Sequence, residues 1–163
     1  MQTEFIGKNS LNNIKKIISD LDAKKILLVT GKGSYKKSGS EKKLFECLGD
    51  TVIERFFDFE ANPNIKDVQV GIGIISSFKP DLVIAIGGGS VIDIAKLINI
   101  FAAHVKKEKE IYEFVDKSES VNKPGLPLVA IPTTSGTGSE ATHFAVVYIG
   151  NKKYSFAHKY VLP

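Results

Sequence analysis

Four short runs of apolar and β-branched residues divide the chain: Lys25–Thr30 (KILLVT), Val52–Phe57 (VIERFF), Leu82–Ile86 (LVIAI) and Leu128–Ile131 (LVAI). Each is bounded by Gly, Pro or Asp, which predicts strands. The most apolar of them have no polar face, so they predict burial on both sides, as in a parallel sheet. Between the runs the period changes. Ser10–Leu21 places Leu11, Ile14, Ile17, Ile18 and Leu21 on one stripe, and Asn64–Phe78 places Ile65, Val68, Ile72 and Ile75 at helical spacing. Strands alternating with helices predict an α/β domain with a doubly wound, mostly parallel sheet.

Three stretches break this rhythm. Lys106–Glu110 (KKEKE) predicts a solvated helix end or loop, and Lys117–Gly125 a polar connection. Near the C-terminus, Thr142–Ile149 and Lys152–Phe156 flank Gly150-Asn151, which predicts a β-hairpin.

Composition narrows the function classes. At 43% hydrophobic and 25% charged residues, the 163-residue chain has enough apolar material for the core of one ordinary globular domain. Its 22 Lys and Arg are spread among 18 Asp and Glu without a basic stripe interleaved with aromatics, so no nucleic-acid partner is expected. Cys47 is the single cysteine, which excludes an internal disulfide and a cysteine-based zinc site. The first twenty residues carry charged and polar positions throughout, unlike a secretory signal. The expectation is a reducing, cytoplasmic setting. The apolar tract Leu82–Val105 is interrupted by Asp93, Lys96 and a glycine triplet, so it predicts a buried strand and helix, and no membrane partner is expected.

Glycines two apart occur in four places and differ in context. Gly71 and Gly73 lie inside a helical pattern and predict close helix packing. Gly31 and Gly33 follow the first strand directly, where a nucleotide can lie across a strand's carboxyl end. Gly87, Gly88 and Gly89 end the third strand, and Ser90-Val91-Ile92-Asp93 predicts a capping box opening a helix over Val91–Ala103. Such a turn aims free N–H groups and the positive end of the helix dipole at its occupant, so it suits either a diphosphate or a tight, capped corner. The fourth place is Ile131–Thr142 (IPTTSGTGSEAT), a loop dense in hydroxyls after the fourth strand. Its Gly136–Ala141 segment satisfies the dinucleotide pattern by coincidence, because no helix follows. Its short donors suit phosphate, ribose or carboxamide contacts.

GGGSVIDIAK, followed about forty residues later by PLVAIPTTSGTGSEAT and preceded by ANPN at 61–64, resembles the iron-dependent (group III) alcohol dehydrogenase family. The resemblance covers essentially the whole chain and implies a Rossmann-like nucleotide-binding domain over residues 1–163. It also implies NAD or NADP as cofactor, with hydride exchanged between an alcohol and an aldehyde. Gly87, Gly88, Gly89 and Ser90 would seat the diphosphate, with Asp93 completing the helix start. Asn62 and the turn from Gly31 to Ser34 would line the adenosine side. Thr133, Thr134 and Thr137 would contact phosphates, ribose or adenine surroundings, and Thr142, Val146 and Lys153 would lie toward the nicotinamide.

NAD-preferring members of the family carry an aspartate after the first strand, where Gly31 stands here, so NADP is permitted, with Lys32, Lys36 and Lys37 nearby. The family's Fe2+ or other divalent metal is held in an all-helical domain that this chain does not include, so the fragment alone is expected to be inactive. His104, His143 and His158 lack metal-ligand spacing on one helix, and neither a metal site nor a catalytic residue is assigned. His143 is expected as a partly buried strand residue. The segment SEATHFAVVYIGNKKYSFAH most resembles members acting on phosphonoacetaldehyde. A relative of glycerol dehydrogenase or dehydroquinate synthase, and a stand-alone nucleotide-binding module, are the alternatives. A homodimer is left open.

Overall fold

A computed structural model describes residues 2–37, 39–105, 108–116 and 121–163. Its element order is α1 (Asn13–Asp20), β1 (Lys25–Thr30), α2 (Ser34–Lys37), α3 (Ser40–Leu48), β2 (Val52–Phe56), α4 (Ile65–Phe78), β3 (Leu82–Gly87), α5 (Gly89–His104), α6 (Glu108–Asp116), β4 (Leu128–Pro132), β5 (Phe144–Ile149) and β6 (Lys152–Ala157). Strands β1–β4 form a parallel sheet in the order β2-β1-β3-β4. Strands β5 and β6 form the expected antiparallel hairpin, with Gly150 at its turn in the left-handed region at φ 59°.

Side-chain alternation along the central strands divides the core in two. Ile26, Leu28, Leu82, Ile84 and Ile86 face a cluster with Ile14 of α1 and Leu44 and Leu48 of α3. Leu27, Val29, Val83 and Ala85 face the other cluster, filled by α4, α5, α6 and the hairpin. The hairpin therefore belongs to the core. Phe156 of β6 is fully buried and meets Phe101 of α5 edge-on, with ring centroids 5.0 Å apart.

Several local expectations change. Ser10–Asn12 form a 3-10 turn ahead of α1. Gly71 does pack closely, since a Cβ there would lie 2.4 Å from Ile98 Cγ2, but Gly73 faces open space. Of the two polar stretches, Lys106, Lys107 and residues 117–120 lie outside the described residues. Residues 108–116 form α6, a helix whose Ile111 and Val115 are buried at a spacing of one turn. Its signal was the short run Ile111, Phe114, Val115, too brief to stand out beside the charges.

Candidate functional site

The order β2-β1-β3-β4 makes the carboxyl ends of β1 and β3 the place where the chain parts. From β1 it leads to α3 against one face of the sheet, and from β3 to α5 against the other. A crevice at such a switch point is the usual ligand position in open α/β sheets. Here a hollow of about 410 Å³ is lined by Gly31 and Lys32 after β1, Phe57 to Ala61 in part, Gly88 to Val91, and Thr134.

The glycine turn is built differently from its expectation. Helix α5 starts at Gly89, Gly88 is its N-cap, and no side chain caps it. The Ser90–Asp93 capping box is absent because Ser90 is already the second residue of the helix, two positions past the N-cap. Asp93 instead turns toward the hairpin and accepts a hydrogen bond from Val146 N at 3.2 Å. Burial raises its carboxyl pKa, against the opposing pull of that N–H, Lys96, Ser139 and Lys153. The capping box appears at α4, where Asn64 Oδ1 accepts from Asp67 N at 3.0 Å and Asp67 accepts from Asn64 N. With no side-chain cap, the first amides of the 16-residue α5 are left for an external acceptor.

The glycines also admit protein. A Cβ on Gly87 would lie 2.5 Å from Val91 Cγ2, one on Gly88 3.2 Å from Thr134 Oγ1, and one on Gly89 3.1 Å from Ser139 Oγ and 3.2 Å from Thr137 Cγ2. The hydroxyl loop thus rests on the glycine turn. Thr133 N donates to Gly87 O at 2.8 Å, one step beyond the β3–β4 ladder that ends at Gly87 and Pro132. Gly136 and Gly138, at φ 91° and 63°, bend the loop back toward a 3-10 turn at Ser139–Ala141. No α-helix follows it, in keeping with the coincidental pattern at 136–141.

The loop's far end is held by Lys96, the cation that interrupts the apolar tract Leu82–Val105. Lys96 is 1% exposed, and its Nζ donates to Ser139 O, to Thr142 O at 2.7 Å and to Phe144 O at 3.2 Å. Thr142 Oγ1 lies 3.3 Å from the same nitrogen. Burial pulls its pKa down to about 8, with Asp93 and Glu140 pulling it back up. Its signal was a lysine inside an otherwise apolar helix.

The predicted residues therefore sort by place. Gly31, Gly88, Gly89, Ser90 and Thr134 line one hollow. Gly87, Thr133 and Thr137 support its wall. Asn62 is exposed beside Ala61 of the lining. Its neighbour Pro63 accepts from Tyr148 N at 2.8 Å, which ties the ANPN segment to β5. Thr142 and Val146 sit with Lys96 and Asp93 away from the lining, and Lys153 is exposed on β6. Ser34 opens α2, with its side chain outside the described residues, as is that of Lys37. Exposed Lys32 pairs with Asp58 at 2.8 Å.

The histidines stand apart in role. His104 ends α5 with Nδ1 2.8 Å from Ile100 O, while Nε2 accepts from Asn122 N at 3.2 Å. This arrangement places the ring proton on Nδ1. His158 accepts from Tyr160 N and begins a 3-10 turn. His143 precedes β5 and is exposed, so the expectation of a partly buried strand residue fails. It stands one residue ahead of the strand, whose first buried position is Ala145. Among the described residues no three His, Cys, Asp or Glu side chains come together as metal ligands. No described helix is long and apolar enough to cross a membrane.

Comparison with known proteins identifies the family and the fold. Residues 2–163 match the family described as iron-containing alcohol dehydrogenase. The chain belongs to that family. The NADPH-dependent butanol dehydrogenase of Clostridium saccharobutylicum is 36% identical over 167 residues, covering 98% of this chain and 41% of that protein. The sulfoacetaldehyde reductase of Bifidobacterium kashiwanohense, solved in complex with NAD+, superposes with a TM-score of 0.85 at 27% identity, over 100% of this chain and 45% of its own. The NADH-dependent butanol dehydrogenase A of Thermotoga maritima gives 0.85 at 25% identity, covering 96% of this chain and 39% of its own. The chain thus spans about two fifths of the length of these family members. Both the family and the mostly parallel α/β fold with its hairpin accord with the reading from sequence.

Proposed function

We propose that this chain is the nicotinamide-dinucleotide-binding part of an alcohol dehydrogenase. One observation carries the reading: an uncapped helix N-terminus and a hydroxyl loop converge at the carboxyl ends of adjacent strands, beside a hollow at the switch point of the sheet. The amides of Gly89 and Ser90 meet the diphosphate, and the absence of side chains at Gly88 and Gly89 keeps the backbone accessible. Thr133, Thr134 and Thr137 supply hydroxyls to phosphate or ribose. Gly31, Ser34 and Asn62 border the adenosine half. Asp93, through Val146, and Lys96, through Thr142, fix the hairpin beside the nicotinamide half, with Lys153 exposed next to it.

When bound, the dinucleotide supplies hydride exchange between an alcohol carbon and its nicotinamide ring. The iron in the family's description does not fit the described residues, whose histidines, carboxylates and thiol form no ligand set. The described residues act by binding and orienting the cofactor. Exposed Lys152 and Lys153 favour an aldehyde carrying an anionic group.

Titration with NADH and NADPH, followed by nicotinamide fluorescence, tests the reading. Saturable binding is expected for at least one of them, and Gly89→Val is expected to abolish it by driving a side chain into Thr137 and Ser139. Failure of the unmodified protein to bind either cofactor overturns the proposal.

A further inference from the structure

We propose that Arg55 recognises the 2′-phosphate of the dinucleotide and thereby gives this chain a preference for NADPH over NADH. The inference rests on the dinucleotide reading above and names the ligand chemistry at its adenosine end.

Arg55 lies on β2, paired in register with Leu28 of β1. Its side chain reaches along the neighbouring strand to the carboxyl end. There Nε donates to Thr30 Oγ1 at 2.9 Å and Nη2 to Gly31 O at 3.4 Å. The guanidinium carbon lies 4.9 Å from the ring centroid of Tyr35 and 4.5 Å from that of Phe57. Two aromatic rings and two oxygens thus fix a planar cation beside Gly31 and Phe57, both of which line the hollow.

Among the described residues the charge of this group is not matched. Guanidinium has five N–H donors, and the two bonds above leave three. Among the described residues no carboxylate pairs with it, whereas Lys32, which lines the hollow, is paired with Asp58 at 2.8 Å. Arg55 is half-buried, so it is neither sealed in the core nor free to collapse into solvent. A fixed fork of donors with no counter-ion suits a phosphate better than a neutral ribose hydroxyl. Gly31 adds no carboxylate that would repel such a group. In dinucleotide folds generally, a 2′-phosphate is accommodated by an arginine near the end of the first strands.

The test compares affinities of the unmodified protein, Arg55→Gln and Arg55→Lys for NADPH, NADH and 2′,5′-ADP. The unmodified protein is expected to bind NADPH more tightly than NADH. Arg55→Gln is expected to lose about tenfold or more for NADPH and 2′,5′-ADP while NADH stays within about twofold. Arg55→Lys retains part of the preference through its charge. An equal loss for NADPH and NADH, or no loss for either, overturns the proposal and assigns Arg55 to holding Tyr35 and Phe57. Thermal unfolding of each variant separates that outcome from misfolding, and Arg55→Lys reports where Arg55→Gln does not fold. A protein that binds neither dinucleotide fails at the earlier reading, whereas one that binds NADH alone fails only here.

Discussion

The glycine turn and the hydroxyl loop follow neighbouring parallel strands at the same end of the sheet, yet they are held in place by different physics. The turn from Gly87 to Ser90 is continuous with a fully buried strand and with a helix whose residues from Val91 to Phe101 are almost all buried. Core packing fixes it. The loop from Thr133 to Thr142 is largely exposed. It is fixed by Thr133 at one end and by Lys96 at the other, where one ammonium gathers three carbonyls. The crevice wall built from both has a rigid floor and a tethered side. Disturbing the floor is therefore a lesion of the whole fold, and disturbing the tether a local one.

Four perturbations probe that contrast. Gly87→Ala places a Cβ against Val91 in the core, and overpacking of this kind costs about 1–3 kcal/mol. Urea unfolding is expected to show the loss as a lower midpoint at unchanged slope. A loss confined to cofactor binding would mean that the turn is less tied to the core than its packing indicates. Lys96→Met removes the ammonium without replacing its hydrogen bonds. Amide exchange at residues 139–144 is expected to accelerate about tenfold, the equivalent of one charged hydrogen bond, while residues 87–91 keep their protection. Equal acceleration in both segments would merge the two regions into one unit.

Asp93 joins the helix to the hairpin and gives an intermediate case. Asp93→Ala removes the acceptor of Val146 N, with an expected loss of about 1 kcal/mol in unfolding free energy. Asp93→Asn retains an acceptor and is expected to keep most of that stability. A pH dependence probes the tether itself. Burial lowers the folded-state pKa of Lys96 from 10.5 to about 8, so between these values the unfolded chain keeps a proton that the folded chain has lost. Stability contributed by this residue then rises with pH across that window. The unmodified protein is expected to gain on Lys96→Met between pH 8 and 10.5 in parallel urea titrations, and a constant difference would place the ammonium in a wetter site.

Strands β1, β3 and β4 and helix α4 were legible within a residue or two, because buried strands and a long amphipathic helix leave strong periodic signals. Helix α6 was not, since its apolar stripe is short and its first turn is charged. The glycine turn was correctly located, but its cap was misassigned. A Ser-x-x-Asp spacing does not reveal whether the helix begins two residues earlier, and Asp93 finds its partner in Val146. Arg55 and Lys96 gave little warning. One lies in a strand where a charge reads as an edge position, and the other inside an apolar helix where it reads as an interruption.

By itself, the sequence determined the strands and their order along the chain, helices α1, α4 and α5 between them, the hairpin, the two loops rich in glycine and hydroxyls, and through their motifs the family. These properties follow from local spacing and composition. Only the tertiary structure decided which residues meet. Sheet order set β1 beside β3 and opened the crevice, close approach made the glycines accommodate the hydroxyl loop, and burial turned Lys96 into its tether. Those outcomes depend on contacts between residues far apart in the chain, where periodicity carries no information.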